Sequence, residues 1–238
     1  MQTLFFIIKL INFVLKLINI ILMNKDSKKK NRIVPEPALR RMPCYLAQLK
    51  VAQKEGLKYI SSPRIANIMD IDPTQVTKDL SYTKIAGKTR VGYEVLPLIE
   101  ELEDFLGFKT MDEAFLFGAG SLGTALMRDY GLRQFGLNIT TAFDINNEIV
   151  GKDFDGVKVH HIDDLKNLIN PNIKIGILTV PVEVAQETAE IMIDAGIKAI
   201  WNFTPVILRV PDEIVVQNTS LYAHLAVMFN RLHSKGKK

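Results

Sequence analysis

Apolar positions are spaced differently in the two parts of this sequence. Between residues 35 and 108 they recur at intervals of three and four, which is typical of short amphipathic helices. From residue 112 onward, continuous apolar runs alternate with stretches of helical spacing, which is typical of buried parallel strands joined by helices. The pattern therefore predicts a small helical domain followed by an α/β domain.

The first part begins with a predicted helix that ends at Gly56. Its apolar face consists of Leu39, Met42, Leu46 and Leu49. A second, short helix has Ser61 or Ser62 as its N-cap. Its apolar face consists of Ile65, Ile68 and Met69. A third helix begins after its predicted N-cap, Asp72, with Pro73 at the first helical position.

The second and third helices are separated by a tight turn, which predicts a helix-turn-helix. In that motif the second of the two helices enters the major groove of DNA. Val76 and Leu80, four residues apart, face inward. The outward side chains, which can contact phosphates or base edges, are those of Thr74, Gln75, Thr77 and Lys78.

Two extended arms around Gly87 and Gly92 come next and predict a basic β-wing. The wing carries Lys84, Lys88 and Arg90, and we expect it to lie along the phosphate backbone or the minor groove. Residues 24–93 contain 15 Lys and Arg against 6 Asp and Glu, whereas residues 111–238 contain 12 against 15. This asymmetry favours an anionic partner for the first part, nucleic acid ahead of an anionic membrane.

A glycine-rich turn opens the second part, between a predicted buried strand and a helix. Gly118 allows the tight turn, Gly120 lets the backbone approach a pyrophosphate, and Gly123 permits close packing of helix on strand. Free amides at the start of the helix favour bound phosphate. The next strand ends in Asp144, where a carboxylate accepts hydrogen bonds from a ribose and repels a 2′-phosphate. The pattern therefore favours NAD(H) over NADP(H).

Ligands of such sheets bind at the carboxyl ends of the strands. Residues 179–181 (Thr-Val-Pro) and 202–205 (Asn-Phe-Thr-Pro) lie at two further strand ends. The chain then closes with a helix, which we expect to pack on a partner chain. Its apolar positions are Leu221, Leu225, Met228 and Phe229.

Candidate catalytic groups are sparse. His160 and His161 have no evident carboxylate partner in the sequence, and Cys44 is predicted to be a packing residue of the first helix. A single cysteine excludes a disulfide or a thiolate metal cluster within the chain, which fits a reducing cytoplasm. Because no segment remains for a substrate domain, the sequence favours a sensor without catalytic residues or metal.

The order of these motifs resembles the Rex family of redox-sensing transcriptional repressors. The resemblance covers residues 33–232. It rests on KDLSY (78–82), GYEV (92–95), GAGSLGTAL (118–126), AFDIN (142–146), ILTVP (177–181) and GIKAIWNFTP (196–205). It implies a homodimer that binds inverted-repeat operators in double-stranded DNA when NADH is scarce and releases them when NADH binds. It also implies a C-terminal helix that is swapped between subunits.

The resemblance assigns residues to two sites. For the cofactor NAD(H) it implies Gly118, Ala119, Gly120, Ser121, Leu122 and Gly123 at the pyrophosphate, Asp144 at the adenosine ribose, Thr179, Val180 and Pro181 along the nucleotide, and Tyr130, Asn202, Phe203, Thr204 and Pro205 at the nicotinamide end. With the helix-turn-helix pattern it predicts DNA contacts by Ser61, Thr74, Gln75, Thr77, Lys78, Tyr82, Lys84, Lys88 and Arg90.

Four positions depart from the family pattern. In some members the tyrosine that matches Tyr130 works with an arginine and an aspartate, whose positions match Ala47 and Ser220 here. Thr77 stands where the family commonly has arginine, and Arg90 stands at a usual glycine. We therefore expect a different operator sequence and an altered link between redox state and dimer.

The predicted fold class is α/β: an N-terminal winged helix-turn-helix domain (33–108), a Rossmann-type doubly wound parallel-sheet domain (112–217) and a C-terminal swapped helix with its tail (218–238). The alternative functions are an NAD-dependent dehydrogenase, or another nucleotide- or CoA-binding enzyme, with a basic N-terminal appendage. Residues 1–32 are apolar and then basic. The run over residues 4–22, which contains Lys9 and Lys16, predicts either an interfacial membrane helix, a packed helix or a leader upstream of a true start at Met23. We expect no stable membrane association and a cytoplasmic location.

Overall fold

The computed structural model describes residues 34–235 and divides into two compact units, with the boundary between Leu106 and Gly107. This boundary lies two residues before the predicted end of the first domain at residue 108. The apolar run over residues 4–22, with its predicted membrane or leader roles, lies outside the described residues.

The N-terminal unit is a winged helix-turn-helix, as the sequence predicts. Its elements are α1 (Glu36–Lys54), β1 (Tyr59–Ile60), α2 (Ser62–Met69), α3 (Pro73–Leu80), β2 (Tyr93–Glu94) and α4 (Val95–Phe105). Ser61 is the N-cap of α2, where its Oγ accepts from the Arg64 amide, and Asp72 caps α3 by accepting from the Thr74 amide. Asp70 adopts a left-handed φ of 52° and so turns the chain from α2 into α3.

Two predicted core positions of this unit are wrong. Leu39 and Ile68 are 39% and 49% exposed, respectively. On α1 the buried face runs through Ala38, so Leu39, one residue further, is rotated by about 100° away from it. On α2 the buried pair is Ile65 and Ala66. The prediction that Cys44 packs in the core is also wrong, because this side chain is exposed.

The wing is shorter than the sequence predicts. Its two arms meet only at a bridge between Lys88 and Gly92, whose backbones exchange hydrogen bonds of 2.8 and 2.9 Å around a turn that contains Arg90. The second arm continues into β2, which pairs antiparallel with β1, placing Tyr59 opposite Glu94. The second arm of the wing is therefore held both by this bridge to the first arm and by pairing with the segment before α2.

The C-terminal unit contains a seven-stranded sheet in the order β5-β6-β4-β3-β7-β8-β9, parallel except for the edge strand β5. The strands are β3 (Asp112–Phe117), β4 (Leu137–Asp144), β5 (Asp153–Phe154), β6 (Val157–His161), β7 (Ile175–Leu178), β8 (Ala199–Asn202) and β9 (Val215–Asn218). The helices are α5 (Ser121–Met127), α6 (Tyr130–Gln134), α7 (Leu165–Leu168), α8 (Ala185–Asp194) and α9 (Leu221–Lys235), with 3-10 turns at Ile162–Asp164 and Val182–Val184.

The predicted doubly wound sheet is confirmed. Apolar side chains form a cluster on each face of the sheet, one around Phe117, Phe143 and Met192 and the other around Leu116, Ala142 and Ile177. From the central strand β3 the chain proceeds outward to β4 and β6, and then returns to the other side at β7. The strand order therefore reverses beside β3, and such a reversal opens a crevice at the carboxyl ends of the strands.

The stretch after the glycine turn forms two helices where the sequence pattern predicts one. The first, α5, ends at Met127, and Asp129 then caps α6 by accepting a 2.7 Å hydrogen bond from the Gly131 amide. An aspartate favours a helix N-cap over a helix interior because its side chain competes for backbone amides.

The apolar positions of the C-terminal helix α9 remain at the surface of this unit. Leu225, Met228 and Phe229 are 41%, 51% and 49% exposed, so the described part of the chain does not cover them. A contiguous apolar stripe of this kind is typical of a protein–protein contact.

A buried carboxylate connects α1 to α3 in the N-terminal unit. Asp79, on α3, is 1% exposed and accepts four hydrogen bonds. Arg41 donates two of them, at 2.7 and 3.0 Å, and Tyr45 donates one at 2.7 Å, both from α1. Gln75, one turn earlier on α3, donates the fourth at 2.7 Å. The charge is thus both paired and hydrogen-bonded, as a buried carboxylate requires.

Two effects on the pKa of Asp79 oppose each other. Burial raises the pKa, whereas the hydrogen bonds from Arg41, Tyr45 and Gln75 lower it, and the net result is a pKa below the ordinary 3.8. Burial and the neighbouring Asp79 raise the pKa of Tyr45, so this phenol stays protonated and remains a donor.

We expect acid to destabilise the N-terminal unit through Asp79. A depressed folded-state pKa contributes stability that is fully present above the unfolded-state value near 3.8 and is lost as the pH falls through the folded-state value. Asp79→Asn should lower the free energy of unfolding by about 3 kcal/mol at neutral pH. It should also flatten the dependence of that free energy on pH below about pH 5. Urea denaturation followed by circular dichroism at several pH values measures both effects.

Fluorescence of Trp201, the single tryptophan, reports the C-terminal unit in the same experiment and serves as the internal control. Its transition should not change with the substitution. A variant that keeps the wild-type acid dependence would contradict the role assigned to Asp79.

Candidate functional site: a DNA-reading helix and a nucleotide crevice

The predicted DNA contacts on α3 divide into free and engaged side chains. Thr74, Thr77 and Lys78 are exposed. Gln75 is half-buried, and its amide nitrogen is bound to Asp79, so the prediction that it simply points outward is wrong. The Thr77 hydroxyl lies 3.1 Å from the Ser62 hydroxyl, at the start of α2. This threonine, at the family's arginine position, therefore also joins the two helices of the motif.

Two further predicted DNA contacts flank the motif. Ser61 uses its hydroxyl oxygen to cap α2, which leaves the hydroxyl hydrogen available for a phosphate. Tyr82 follows α3 and is half-buried. The structure thus gives Ser61 a structural role beside the predicted one.

The wing has one engaged and one free cation at its tip. Lys88 forms an ion pair with Glu94, and its ammonium lies 5.6 Å from the centre of the Tyr59 ring. The hydrogen bond and charge of Glu94 raise the pKa of Lys88, and Lys88 lowers the pKa of Glu94 in return. Arg90 makes no ion pair with any residue from 34 to 235. Lys84 lies 4.0 Å from Asp104, at the limit of an ion pair.

Arg90 also has an unusual backbone conformation. Its φ of 64° is left-handed, a conformation that costs a residue with a Cβ about 1–2 kcal/mol and glycine nothing. The position is therefore one where glycine is the better residue for the fold and arginine adds a charge.

In the C-terminal unit the glycine turn fits the geometry that a pyrophosphate needs. Gly118 has a φ of +98°, and an added Cβ would lie 2.8 Å from the Thr179 carbonyl. A Cβ at Gly123 would lie 2.1 Å from the Gly118 oxygen. At Gly120 a Cβ would meet no described atom within 4 Å. The outer two glycines are thus required by packing, and the middle one leaves open space next to the chain.

The first amides of α5 follow directly after Gly120. Ser121, Leu122 and Gly123 occupy the first positions of α5, whose amides have no partner within the helix, and Gly120 supplies no capping side chain. Unpartnered amides beside open space suit the oxygens of a phosphate group.

Asp144 lies at the adjacent strand end, at the position predicted for a ribose contact. Its Oδ2 accepts a 2.6 Å hydrogen bond from the Ala119 amide, and its Oδ1 accepts a 2.8 Å hydrogen bond from the Asn146 amide. Each carboxylate oxygen can accept a second hydrogen bond, so the group can still receive a ribose hydroxyl. The carboxylate therefore both fixes the turn and presents acceptors next to it.

Thr179–Pro181 lies on the other side of the turn. The Thr179 amide donates to the Phe117 carbonyl at 2.9 Å, and its hydroxyl lies 2.7 Å from the Gly118 carbonyl oxygen. Val180 is half-buried and Pro181 is exposed. The structure brings this segment together with the turn, as predicted, and Thr179 is the residue that joins them.

The segment Asn202–Pro205 contains two buried and two accessible residues. The Asn202 side chain is completely buried: its amide nitrogen donates to the Val206 carbonyl and to Asn218 at 2.8 Å, and its oxygen accepts from Thr204. The Asn202 and Thr204 side chains are both buried and bonded within the loop, and their place at the nicotinamide end stays a prediction. They shape the loop, and the half-buried Phe203 and the exposed Pro205 are its accessible members.

Tyr130 lies at the start of α6 and is 70% exposed. Ala47 and Ser220, which match the partners of this tyrosine in some family members, are uncharged. Ser220 precedes α9, and its hydroxyl oxygen accepts from the Ala223 amide at 3.1 Å. Ala47 is an exposed residue of α1.

The Arg41–Tyr45–Asp79 cluster and the Lys88–Glu94 pair are not predicted by the sequence pattern. Each joins residues that are distant in sequence or on opposite sides of a turn. The one signal for the first cluster is that Arg41 and Asp79 are charged residues on otherwise apolar helix faces.

Among residues 34–235, no helix has the length and apolarity that crossing a membrane requires.

Two family models match the chain. The first, described as a putative DNA-binding protein N-terminus, matches residues 33–81, and the second, described as a CoA binding domain, matches residues 109–206. Their order agrees with the order of the two units.

Similar proteins match over most of their length. The chain is 55% identical over 213 residues to the redox-sensing transcriptional repressor Rex of Bacteroides fragilis, which covers 89% of this chain and 95% of that protein. It is 52% identical over 202 residues to the protein of the same name from Porphyromonas gingivalis, with 84% and 93% coverage.

Two solved structures of a repressor are similar to this chain over most of its length. The structure of the repressor RSP in complex with β-NAD⁺ and operator DNA matches with a TM-score of 0.80 at 34% identity and covers 87% of this chain and 95% of that one. The complex of RSP with β-NADH matches with a TM-score of 0.77 at 33% identity, with 87% and 97% coverage. The two units, the glycine turn beside Asp144 and these similarities lead to one conclusion. The chain belongs to the Rex family of redox-sensing transcriptional repressors.

Proposed function

We propose that this protein is a transcriptional repressor that binds operator DNA through α3 and the wing, and that releases the operator when NADH binds at the glycine turn. The single observation that carries the proposal is the combination, in one chain, of a helix-turn-helix with exposed Thr74 and Lys78 and a nucleotide crevice between Gly120 and Asp144. Relatives of the same two-part architecture are named repressors and not enzymes.

The crevice residues fit NAD(H) in particular. Open space at Gly120, unpartnered amides at the start of α5 and a carboxylate with spare acceptor capacity match a pyrophosphate and an unmodified ribose. The predicted site residues that are not buried are Gly120, Ser121, Leu122, Tyr130, Asp144, Thr179, Val180, Pro181, Phe203 and Pro205.

We further propose that the active form is a homodimer on an inverted-repeat operator, in the cytoplasm. The exposed apolar stripe of α9 supports this assembly, because a second copy of the chain would cover Leu225, Met228 and Phe229. Two winged helices related by a two-fold axis match two half-sites.

Thermodynamic linkage between NADH binding and DNA binding determines how far NADH lowers operator affinity. NADH weakens DNA binding only if it binds the DNA-incompetent form more tightly than the competent one. In this chain Ala47 and Ser220 stand where some members have the arginine and the aspartate that work with the matching tyrosine, so neither of those charges contributes to the coupling.

We expect NADH to lower operator affinity by about 5- to 150-fold, and NAD⁺ to lower it less. Fluorescence anisotropy of a labelled operator, titrated with the protein at fixed nucleotide concentrations, measures the effect. Gly120→Ala should abolish the NADH response and preserve nucleotide-free DNA binding, because the methyl group occupies the space that the phosphates need and lies within 4 Å of no atom of residues 34–235. Operator affinity that is indifferent to both nucleotides in the wild type would refute the sensor.

We expect Arg90 to lower the stability of the fold and to strengthen DNA binding. Arg90→Gly should raise the free energy of unfolding by up to about 1 kcal/mol, because glycine adopts the left-handed conformation without strain. It should also weaken binding to all DNA sequences and reduce the slope of log affinity against log salt by about 1 for each wing in contact.

Arg90→Lys is the matched control, since it keeps the charge and the Cβ. It should retain the wild-type salt slope. If Arg90→Gly binds operator with the wild-type salt dependence, the wing tip does not contact phosphate.

A further inference from the structure

The orientation of one side chain on the DNA-facing side of α3 is fixed from inside the unit. Gln75 lies between the exposed residues Thr74 and Lys78 and the buried Asp79. Its Nε2 donates to Asp79 Oδ1 at 2.7 Å, one helical turn away. The side chain thus reaches from the interior to the surface.

The chemistry of Asp79 determines which end of the Gln75 amide faces inward. An ionised carboxylate only accepts hydrogen bonds, and the lowered pKa of Asp79 keeps it ionised at neutral pH. Its other partners, Arg41 and Tyr45, are both donors. A flipped amide would place its oxygen against that negative charge, so only the nitrogen can face Asp79.

The carbonyl oxygen of Gln75 is consequently directed away from Asp79. Among residues 34–235, none donates a hydrogen bond to this oxygen. No side-chain N or O atom of the described residues is buried without a hydrogen-bond partner, so this unpartnered oxygen is accessible at least in part. The exposed side of α3 therefore carries a hydrogen-bond acceptor of fixed orientation, with the second amide hydrogen beside it.

In the major groove, only two bases present hydrogen-bond donors to such an acceptor. These donors are the N6 amino group of adenine and the N4 amino group of cytosine, whereas guanine and thymine present acceptors there. A side chain held in one orientation before binding discriminates between these bases at a smaller entropic cost than a mobile one.

We propose that Gln75 is a specificity-determining residue that reads an exocyclic amino group of the operator, and that Asp79 is the positioning residue that orients it. This inference rests on the proposed function, which places α3 in the major groove. Adenine matches the arrangement most fully, because its N6–H and N7 meet the carbonyl oxygen and the free amide hydrogen together.

The test is a double-mutant cycle between the protein and single atoms of the DNA. An operator is first selected by the wild-type full-length protein from randomised duplexes. Each adenine of a half-site is then replaced in turn by purine, which lacks the 6-amino group, and each cytosine by the base that lacks the 4-amino group. Affinities are measured for the wild type and for Gln75→Ala.

We expect one position at which loss of the amino group weakens wild-type binding by about 5- to 150-fold and weakens Gln75→Ala by less than about 2-fold. The proposal is supported whether that position holds an adenine or a cytosine, and the amino group whose removal weakens binding identifies the base that Gln75 reads. If no amino deletion separates the two proteins, although the wild type binds its operator, the inference is wrong. If the wild type selects no operator, the proposed function itself fails.

Two further variants separate positioning from general stability. Asp79→Asn offers an oxygen and a nitrogen to Gln75, so both amide orientations become available. It should lose most of the discrimination at that position and retain affinity for non-specific DNA within about 2-fold. Tyr45→Phe is the matched control, because it removes one donor to the same carboxylate and leaves the Gln75 contact.

We expect Tyr45→Phe to lower thermal stability and to keep wild-type discrimination. If it relaxes discrimination as much as Asp79→Asn does, then Asp79 acts only through stability and the positioning role is overturned. If Asp79→Asn does not fold, the cycle with Gln75→Ala still decides whether Gln75 reads the base.

Discussion

A buried negative charge is the constraint on which the N-terminal unit depends. Asp79 is excluded from solvent, so its charge must be satisfied by protein groups, and α1 supplies Arg41 and Tyr45 for this purpose. The same requirement fixes the rotation of α3 about its axis, because both carboxylate oxygens are engaged. The apolar contacts of Val76 and Leu80 hold α3 against the unit, whereas the polar contacts set its register. Register is what determines which side chains a recognition helix presents to DNA.

In the C-terminal unit the backbone provides polar groups that have no hydrogen-bond partner. A nucleotide site needs polar groups that are not yet satisfied, and the first turn of α5 provides them because helix geometry leaves its amides without partners. Satisfied groups surround this turn: Asp144 accepts from the Ala119 amide, and Thr179 contacts the Gly118 carbonyl. The turn is therefore rigid on its inner side and open on its outer side.

Much of this arrangement could be predicted from the sequence, because it depends on local signals. The caps at Ser61 and Asp72, the glycine spacing and the acidic residue after β4 each act within a few residues or along one βαβ unit. What could not be predicted depends on contacts between distant segments. The burial of Asn202 follows from the neighbouring strand β9, which supplies Asn218. Likewise, the inward tether of Gln75 follows from Asp79 being buried against α1, and an isolated α3 gives no sign of it.

The N-terminal unit carries ten Lys and Arg and ten Asp and Glu within residues 34–106, so the pairing of these charges decides where positive charge remains free. Many of its cations are already paired: Arg40 with Glu36, Arg41 with Asp79, Lys50 with Glu103, Arg64 with Glu55 and Lys88 with Glu94. A paired cation contributes little to the release of counterions from DNA, because its field is largely cancelled nearby. Lys78 on α3 and Arg90 at the wing tip make no ion pair with the described residues. Lys54 and Lys58, at and just after the end of α1, also make no ion pair with the described residues. Lys78 and Arg90 nevertheless lie on the two elements expected to meet DNA, and Arg90 adds its charge there despite its left-handed conformation.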